Sequence, residues 1–147
     1  MKKIIHSMFV IIAFVFVLAP AAAYACSCLA QPDKTEIPRD WLRNFNGAVF
    51  EGRVAKIEKA AKSEYLLKVT FTVERYWKGV KTNQAFVYTA SQSAMCGVRF
   101  ERGKKYLVFA ESSEGRFQAS LCPWTEKEQN EALYRAYLGR GQKPKGK

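Results

Sequence analysis

The chain has 147 residues, with 24 Lys and Arg against 13 Asp and Glu, a formal net charge of +11, four cysteines and one histidine. That length suits one compact domain, and the charge implies attraction to acidic surfaces such as polyanionic glycans, anionic lipid or an acidic protein partner. The one histidine, His6, lies in the N-terminal apolar stretch, which excludes His-based triads, dyads and metal centres from the rest of the chain.

Taken in order, Met1 to Ala25 reads as a secretory signal peptide. Lys2 and Lys3 form its basic start, Ile4 to Leu18 its mostly apolar body, and Ala23-Tyr24-Ala25 its cleavage site. An uncleaved membrane anchor fits less well, because the apolar run is short of the ~20 residues that a span requires. The expectation is a secreted or periplasmic protein of about 120 residues with no membrane attachment after cleavage. It would begin Cys26-Ser27-Cys28. A lipoprotein acylated at Cys26 would favour a large aliphatic residue where Ala23 stands.

Cys26, Cys28, Cys96 and Cys122 all follow the cleavage site, and an even number in an exported chain implies two disulfides. A Cys26–Cys28 bridge is disfavoured, since one intervening residue makes disulfide geometry hard to reach. Either remaining pairing ties the terminus to two distant points, worth roughly 4 kcal/mol per loop by chain entropy. A thiolate zinc site is the weaker alternative, because Cys-x-Cys with two single distant cysteines lacks paired knuckles.

Leu29 to Phe45 is a lead-in in which Asp40 to Asn44 can form a helical turn. Ala48 to Ile57 reads as a strand, bulged or bent at Gly52. Tyr65 to Trp77 is the cleanest segment, with Tyr65, Leu67, Val69, Phe71 and Val73 alternating against polar neighbours, until the alternation slips at Tyr76-Trp77. Ala85 to Ala90, Lys105 to Ala110 and Arg116 to Leu121 are three further strands, the last two joined by a Ser112–Gly115 turn. Beyond Cys122, Thr125 and Glu128 suggest a capping box, Ala132, Leu133, Ala136 and Tyr137 share one face, and Gly139 stops a helix. Residues 141–147 are basic and breaker-rich and read as a disordered tail. The predicted class is mainly β: a five-stranded Greek-key barrel of the OB type with a C-terminal helix packed on it.

Catalytic chemistry is hard to place on this chain. It has no Gly-rich phosphate loop, and the acid pairs Glu111/Glu114 and Glu126/Glu128 sit in polar contexts that would not raise a pKa. Four disulfide-bonded cysteines would leave no thiol nucleophile. Neither an enzyme nor a cofactor is expected. Tyr76, Trp77, Tyr88 and Phe100 could stack single-stranded nucleic acid, but export favours the reading that they fill the barrel and its ends, with no nucleic acid as partner.

Certain residues carry a more specific resemblance. Cys26-Ser27-Cys28, Val87-Tyr88-Thr89-Ala90, Ser93-Ala94-Met95-Cys96-Gly97-Val98, Tyr106-Leu107-Val108-Phe109-Ala110 and Ala119-Ser120-Leu121-Cys122 before Pro123-Trp124 together resemble the tissue inhibitors of metalloproteinases. The likeness runs from about Cys26 to Arg140, covering the family's N-terminal netrin-like domain. It implies an OB-fold barrel, the pairings Cys26–Cys96 and Cys28–Cys122, and a zinc metalloprotease as partner. By the same resemblance, the α-amine and carbonyl of Cys26 chelate the target's zinc and Ser27 enters the specificity pocket. Leu29, Ala94 and Met95 flank that edge. A small Ser27 suggests broad rather than selective inhibition. The family's third disulfide and its C-terminal domain have no counterpart here, and a monomer is expected. The alternative is a netrin-like module that binds polyanions or an acidic partner through its basic surface without inhibiting a protease.

Overall fold

The computed structural model describes residues 39–61, 63–122, 126–127 and 137–146. In chain order these form α1 (Arg39–Asn44), β1 (Gly47–Ala60), β2 (Ser63–Lys78), β3 (Gln84–Ala90), a 3-10 turn (Ser93–Met95), β4 (Lys105–Ser113), β5 (Arg116–Gln118) and β6 (Glu126–Lys127). The helical turn and all five strands expected from the sequence are present.

Five of the strands close into a ring. β1 pairs antiparallel with β2, β2 with β3, and β4 with β5, while β3 and β5 run parallel. Antiparallel pairing of β1 with β4, from Gly47↔Glu111 to Arg53↔Lys105, completes the circle. β1 serves two neighbours at once, and bulges help it to curve. Its register with β2 shifts between Glu51 and Gly52, as the glycine suggested, and again between Val49 and Phe50. The second shift accounts for the broken alternation at Tyr76-Trp77: Phe50 faces Tyr76 and Val49 faces Lys78, leaving Trp77 as the extra residue.

The ring is filled by Phe50, Val54, Val69, Phe71, Val73, Val87, Tyr106 and Val108, all buried. An edge-to-face aromatic chain runs through it: Phe50–Phe71 at 5.4 Å, Phe71–Phe100 at 5.2 Å and Phe100–Tyr106 at 4.9 Å between centroids. Such pairs add about 0.5–1.5 kcal/mol each beyond area burial. A second cluster lies outside the ring, where Phe45, Val49, Leu107, Phe109 and Leu138 are buried with Trp41, Leu42 and Trp77 against them. α1 and the residue that follows it deliver Trp41 and Phe45, whose rings stack at 4.6 Å. Its C-terminal carbonyls are met by Lys78, whose Nζ donates to Leu42 O and Arg43 O at 3.0 and 2.6 Å. Both faces of β4 are therefore covered, which explains why Tyr106 to Ala110 is an unbroken apolar run.

Beyond Cys122 the structure departs from the sequence reading. Glu126 and Lys127 are extended and pair with Leu107 and Tyr106, whereas Thr125 and Glu128 of the expected capping box lie outside the described residues. β5 pairs with β4 only over Glu111–Ser113, and β6 takes up part of the edge left over. The rest of the expected helix lies outside the described residues up to its end, where Tyr137 and Leu138 are helical and Gly139 follows at φ 67°. Composition suggested a disordered tail from 141, yet this segment is hydrogen-bonded to the body of the protein. Tyr76 N–H donates to Gln142 O at 2.9 Å, Gln142 N–H returns to Tyr76 O at 2.7 Å, and Lys145 N–H donates to Lys81 O at 3.0 Å. The Tyr76 hydroxyl also donates to Gln142 Oε1 at 2.7 Å, and Trp77 Nε1–H to Gly139 O at 3.0 Å. Backbone and aromatic partners at the end of β2, not side-chain hydrophobicity, hold the segment there.

Candidate functional site: the Cys96 end of the ring

The connector leaving β3 is the part of the expected inhibitory edge that lies among the described residues. Ser91 N–H donates to Tyr65 O at 2.9 Å, and Gln92 O accepts from both Met95 N–H (3.0 Å) and Gly97 N–H (3.1 Å). Cys96 N–H donates to Ser93 O at 3.0 Å, with Cys96 itself left-handed at φ 60°. That conformation is uncommon for a residue with a side chain, and it turns the connector back onto β3. Gly97 then lies flush against β3: a Cβ there would stand 2.0 Å from Ala90 O. Val98 N–H finishes the clamp by donating to Thr89 Oγ1 at 2.8 Å. Thr89 is fully buried, so this bond satisfies a polar atom on the core face of a strand.

The chain after β5 returns to the same place. Ala119 N–H donates to Tyr88 O and Leu121 N–H to Cys96 O, which sets the segment carrying Cys122 beside Cys96. Both cysteines are disulfide-bonded, and no described cysteine is free. Ser93, Ala94 and Met95 are exposed on the crest of the connector. Five large hydrophobic residues are exposed among the described residues, and three of them, Tyr65 (59%), Met95 (48%) and Leu121 (51%), belong to segments that meet here.

Of the anticipated site residues, Ala94 and Met95 sit together on this crest beside Cys96, with Cys122 alongside. Cys26, Ser27, Cys28 and Leu29 lie outside the described residues. Tyr65 and Leu121 are additions. Alternation placed Tyr65 on the buried face with Val69, Phe71 and Val73, but β2 overshoots the ring and Tyr65 emerges into solvent. Leu121 was read as a strand residue, yet β5 ends at Gln118. Of the four aromatics weighed as stacking platforms, Tyr76 and Phe100 belong to the ring's interior cluster and Trp77 to the outer one. Tyr88 lines an outer groove.

Among the described residues, no group of three or more His, Cys, Asp and Glu could hold a metal ion, and no helix is long and apolar enough to cross a membrane. What this end offers is a rigid, partly apolar crest gathered around two crosslinked cysteines.

The family model described as "Tissue inhibitor of metalloproteinase" matches residues 24–136. A protein of Margaritifera margaritifera described as "NTR domain-containing protein" is 34% identical over 112 residues, covering 74% of this chain and 72% of the relative.

Proposed function

Since the chain belongs to the tissue inhibitor of metalloproteinase family, we propose that it is an extracytoplasmic inhibitor of a zinc metalloendopeptidase, acting as a monomer through its Cys26 terminus. Signal cleavage after Ala25 frees the α-amine of Cys26. Disulfides Cys26–Cys96 and Cys28–Cys122 then clamp that terminus onto the Cys96 end of a five-stranded barrel of the OB type. The α-amine and the carbonyl oxygen of Cys26 form a five-membered chelate for the metal of the target protease, whose open coordination position otherwise holds water. An α-amine has a reference pKa near 8, so giving up its proton on binding costs little at neutral pH. Ser27 enters the pocket beside the metal, and Leu29, Ala94 and Met95 pack along the protease surface, with Tyr65 and Leu121 widening the contact.

The observation that carries this reading is the meeting of Cys96 and Cys122. The Leu121–Cys96 hydrogen bond sets the two side by side, which suits capture of two cysteines separated by one residue. Clamping the terminus in advance lowers the ordering cost of association.

The test is a chain with one alanine inserted between Ala25 and Cys26, made so that processing leaves Ala-Cys-Ser-Cys. Assayed against a panel of zinc endopeptidases, the native terminus inhibits and the extended one does not, while both have the same circular dichroism and melting temperature. Equal inhibition by the two forms, or a processed chain whose first residue is not Cys26 with a free amine, sinks the proposal.

A further inference from the structure

The crest after β3 carries a side chain with chemistry that docking on a protease does not use. The full sequence has three methionines, Met1, Met8 and Met95. Met1 and Met8 precede the cleavage site after Ala25, so a processed chain keeps a single thioether, that of Met95. Methionine is among the residue types most often buried. Met95 is instead 48% exposed, at the end of a turn in which no residue is buried.

The backbone around it is held on both sides. Met95 N–H and Gly97 N–H share Gln92 O as acceptor, and Cys96 N–H donates to Ser93 O. Cys96, the next residue, is disulfide-bonded, and Gly97 lies against Ala90 O. Fixed in this way, the segment keeps the Met95 side chain on the outside. Few other groups compete for an oxidant. No described cysteine is free, and Trp41 and Trp77 pack against the outer cluster. Tyr65 and Tyr137 are exposed, but a peroxide attacks a phenol far more slowly than a thioether.

We propose, on the inhibitory reading of this crest, that Met95 is a reversible oxidation site through which a peroxide weakens the inhibitor. The sulfur lone pair attacks one peroxide oxygen, and the O–O bond breaks as the S–O bond forms. The departing oxygen takes the peroxide's proton and leaves as water or an alcohol. Sulfur loses two electrons and the peroxide gains them. The product is a sulfoxide, polar and chiral where the thioether was apolar. Pressed against a protease, its oxygen loses water with no partner arranged to replace it, and that cost opposes binding. Inside a core the same change would disrupt packing. On the crest it leaves the fold intact, which separates control from damage. Methionine sulfoxide reductases reverse it with two thiols, which become a disulfide as the oxygen leaves as water.

The experiment treats the full processed chain with hydrogen peroxide at neutral pH. Intact mass, peptide maps, melting temperature and inhibition of a panel of zinc endopeptidases are then measured. One oxygen is expected to add, at Met95, at a rate close to that for N-acetylmethionine amide, with the melting temperature unchanged. Inhibition is expected to weaken about tenfold, the scale of one polar group buried without a partner. It is expected to return on treatment with the two reductases that between them accept both sulfoxide epimers. Met95→Leu, whatever its own potency, is expected to keep that potency through the same peroxide treatment. The proposal is overturned if oxygen adds first elsewhere, if Met95 reacts only in denaturant, or if Met95→Leu loses potency under peroxide. Unaltered inhibition by the singly oxidised chain overturns the switch alone, whereas an untreated chain that inhibits no protease overturns the inhibitory reading and the switch together.

Discussion

Leu121 donates its backbone N–H to the carbonyl of Cys96 at 2.9 Å, joining two segments that are 25 residues apart in the chain. This bond sets Cys122 next to Cys96, and with the Thr89–Val98 and Ala90–Gly97 contacts it makes the connector after β3 a fixed crest. Four expectations concern how that crest and its supporting ring are held.

Replacing Thr89 with Val keeps the shape but removes the acceptor for Val98 N–H inside the core. A buried donor left without a partner costs about 1–3 kcal/mol. Urea unfolding should show a lower midpoint at unchanged slope, and Thr89→Ser, which restores the hydroxyl, should recover much of the loss. A Thr89→Val protein as stable as the parent would mean that another group satisfies Val98.

Gly97→Ala drives a methyl group into Ala90 O, a backbone atom that has little room to move. Overpacking of this kind costs about 1–3 kcal/mol, and the strain should fall on the connector. Amide exchange at Met95 and Cys96 should quicken more than exchange in the middle of β2. If the family activity operates through this crest, inhibition should weaken before global stability is lost.

Glu114 (φ 50°) and Gly115 (φ 71°) form the two-residue turn between the paired residues Ser113 and Arg116. Positive φ at both positions marks the type I′ hairpin turn. Nothing lies within 4 Å of a Cβ added at Gly115, so the cost of Gly115→Ala is conformational alone, about 1–2 kcal/mol. Gly115→Asn should cost less, because asparagine tolerates the left-handed region. A thermal melt of the two variants separates them.

Glu58 on β1 carries a carboxyl whose titration the fold displaces. Its hydrogen bond to Lys56 is the main cause that holds its carboxyl below the usual 4.5, and the charges of Lys56 and Lys68 act in the same direction. A lowered folded-state pKa means that its stabilising contribution is present above pH 4.5 and disappears as pH falls through the lower folded value. Glu58 is half-buried and its partner Lys56 is exposed, so solvent screens the pair and the effect on stability is small. The direct check is a carboxyl NMR titration: Glu58 should titrate below the other exposed glutamates, and Lys56→Gln should return it toward them.

Much of the architecture was legible in the chain. The alternation from Leu67 to Val73, the β-branched runs, the Gly52 bulge and the turn before Arg116 are local signals, and each strand that they marked is present. The cysteine frame and the Tyr-Thr-Ala and Cys-Gly blocks were enough to suggest the family. The docking of residues 141–146 on the end of β2 and the loop after it, and the strand at Glu126, were not legible. Each depends on a backbone edge made available by an element far away in sequence, and a hydrogen-bonding edge leaves no residue-type signature.

Exposure followed the same division. Side-chain pattern tells which face of a strand is apolar, because successive residues alternate sides whatever the strand later meets. It does not tell where a neighbouring strand stops. Tyr65 is exposed because β2 outruns the ring, Leu121 because β5 ends at Gln118, and Phe86 because its side of β3 faces outward. Sequence alone determined the strands and the family. Ring closure decided which apolar side chains were left in water, because burial depends on three-dimensional neighbours and no local period records them.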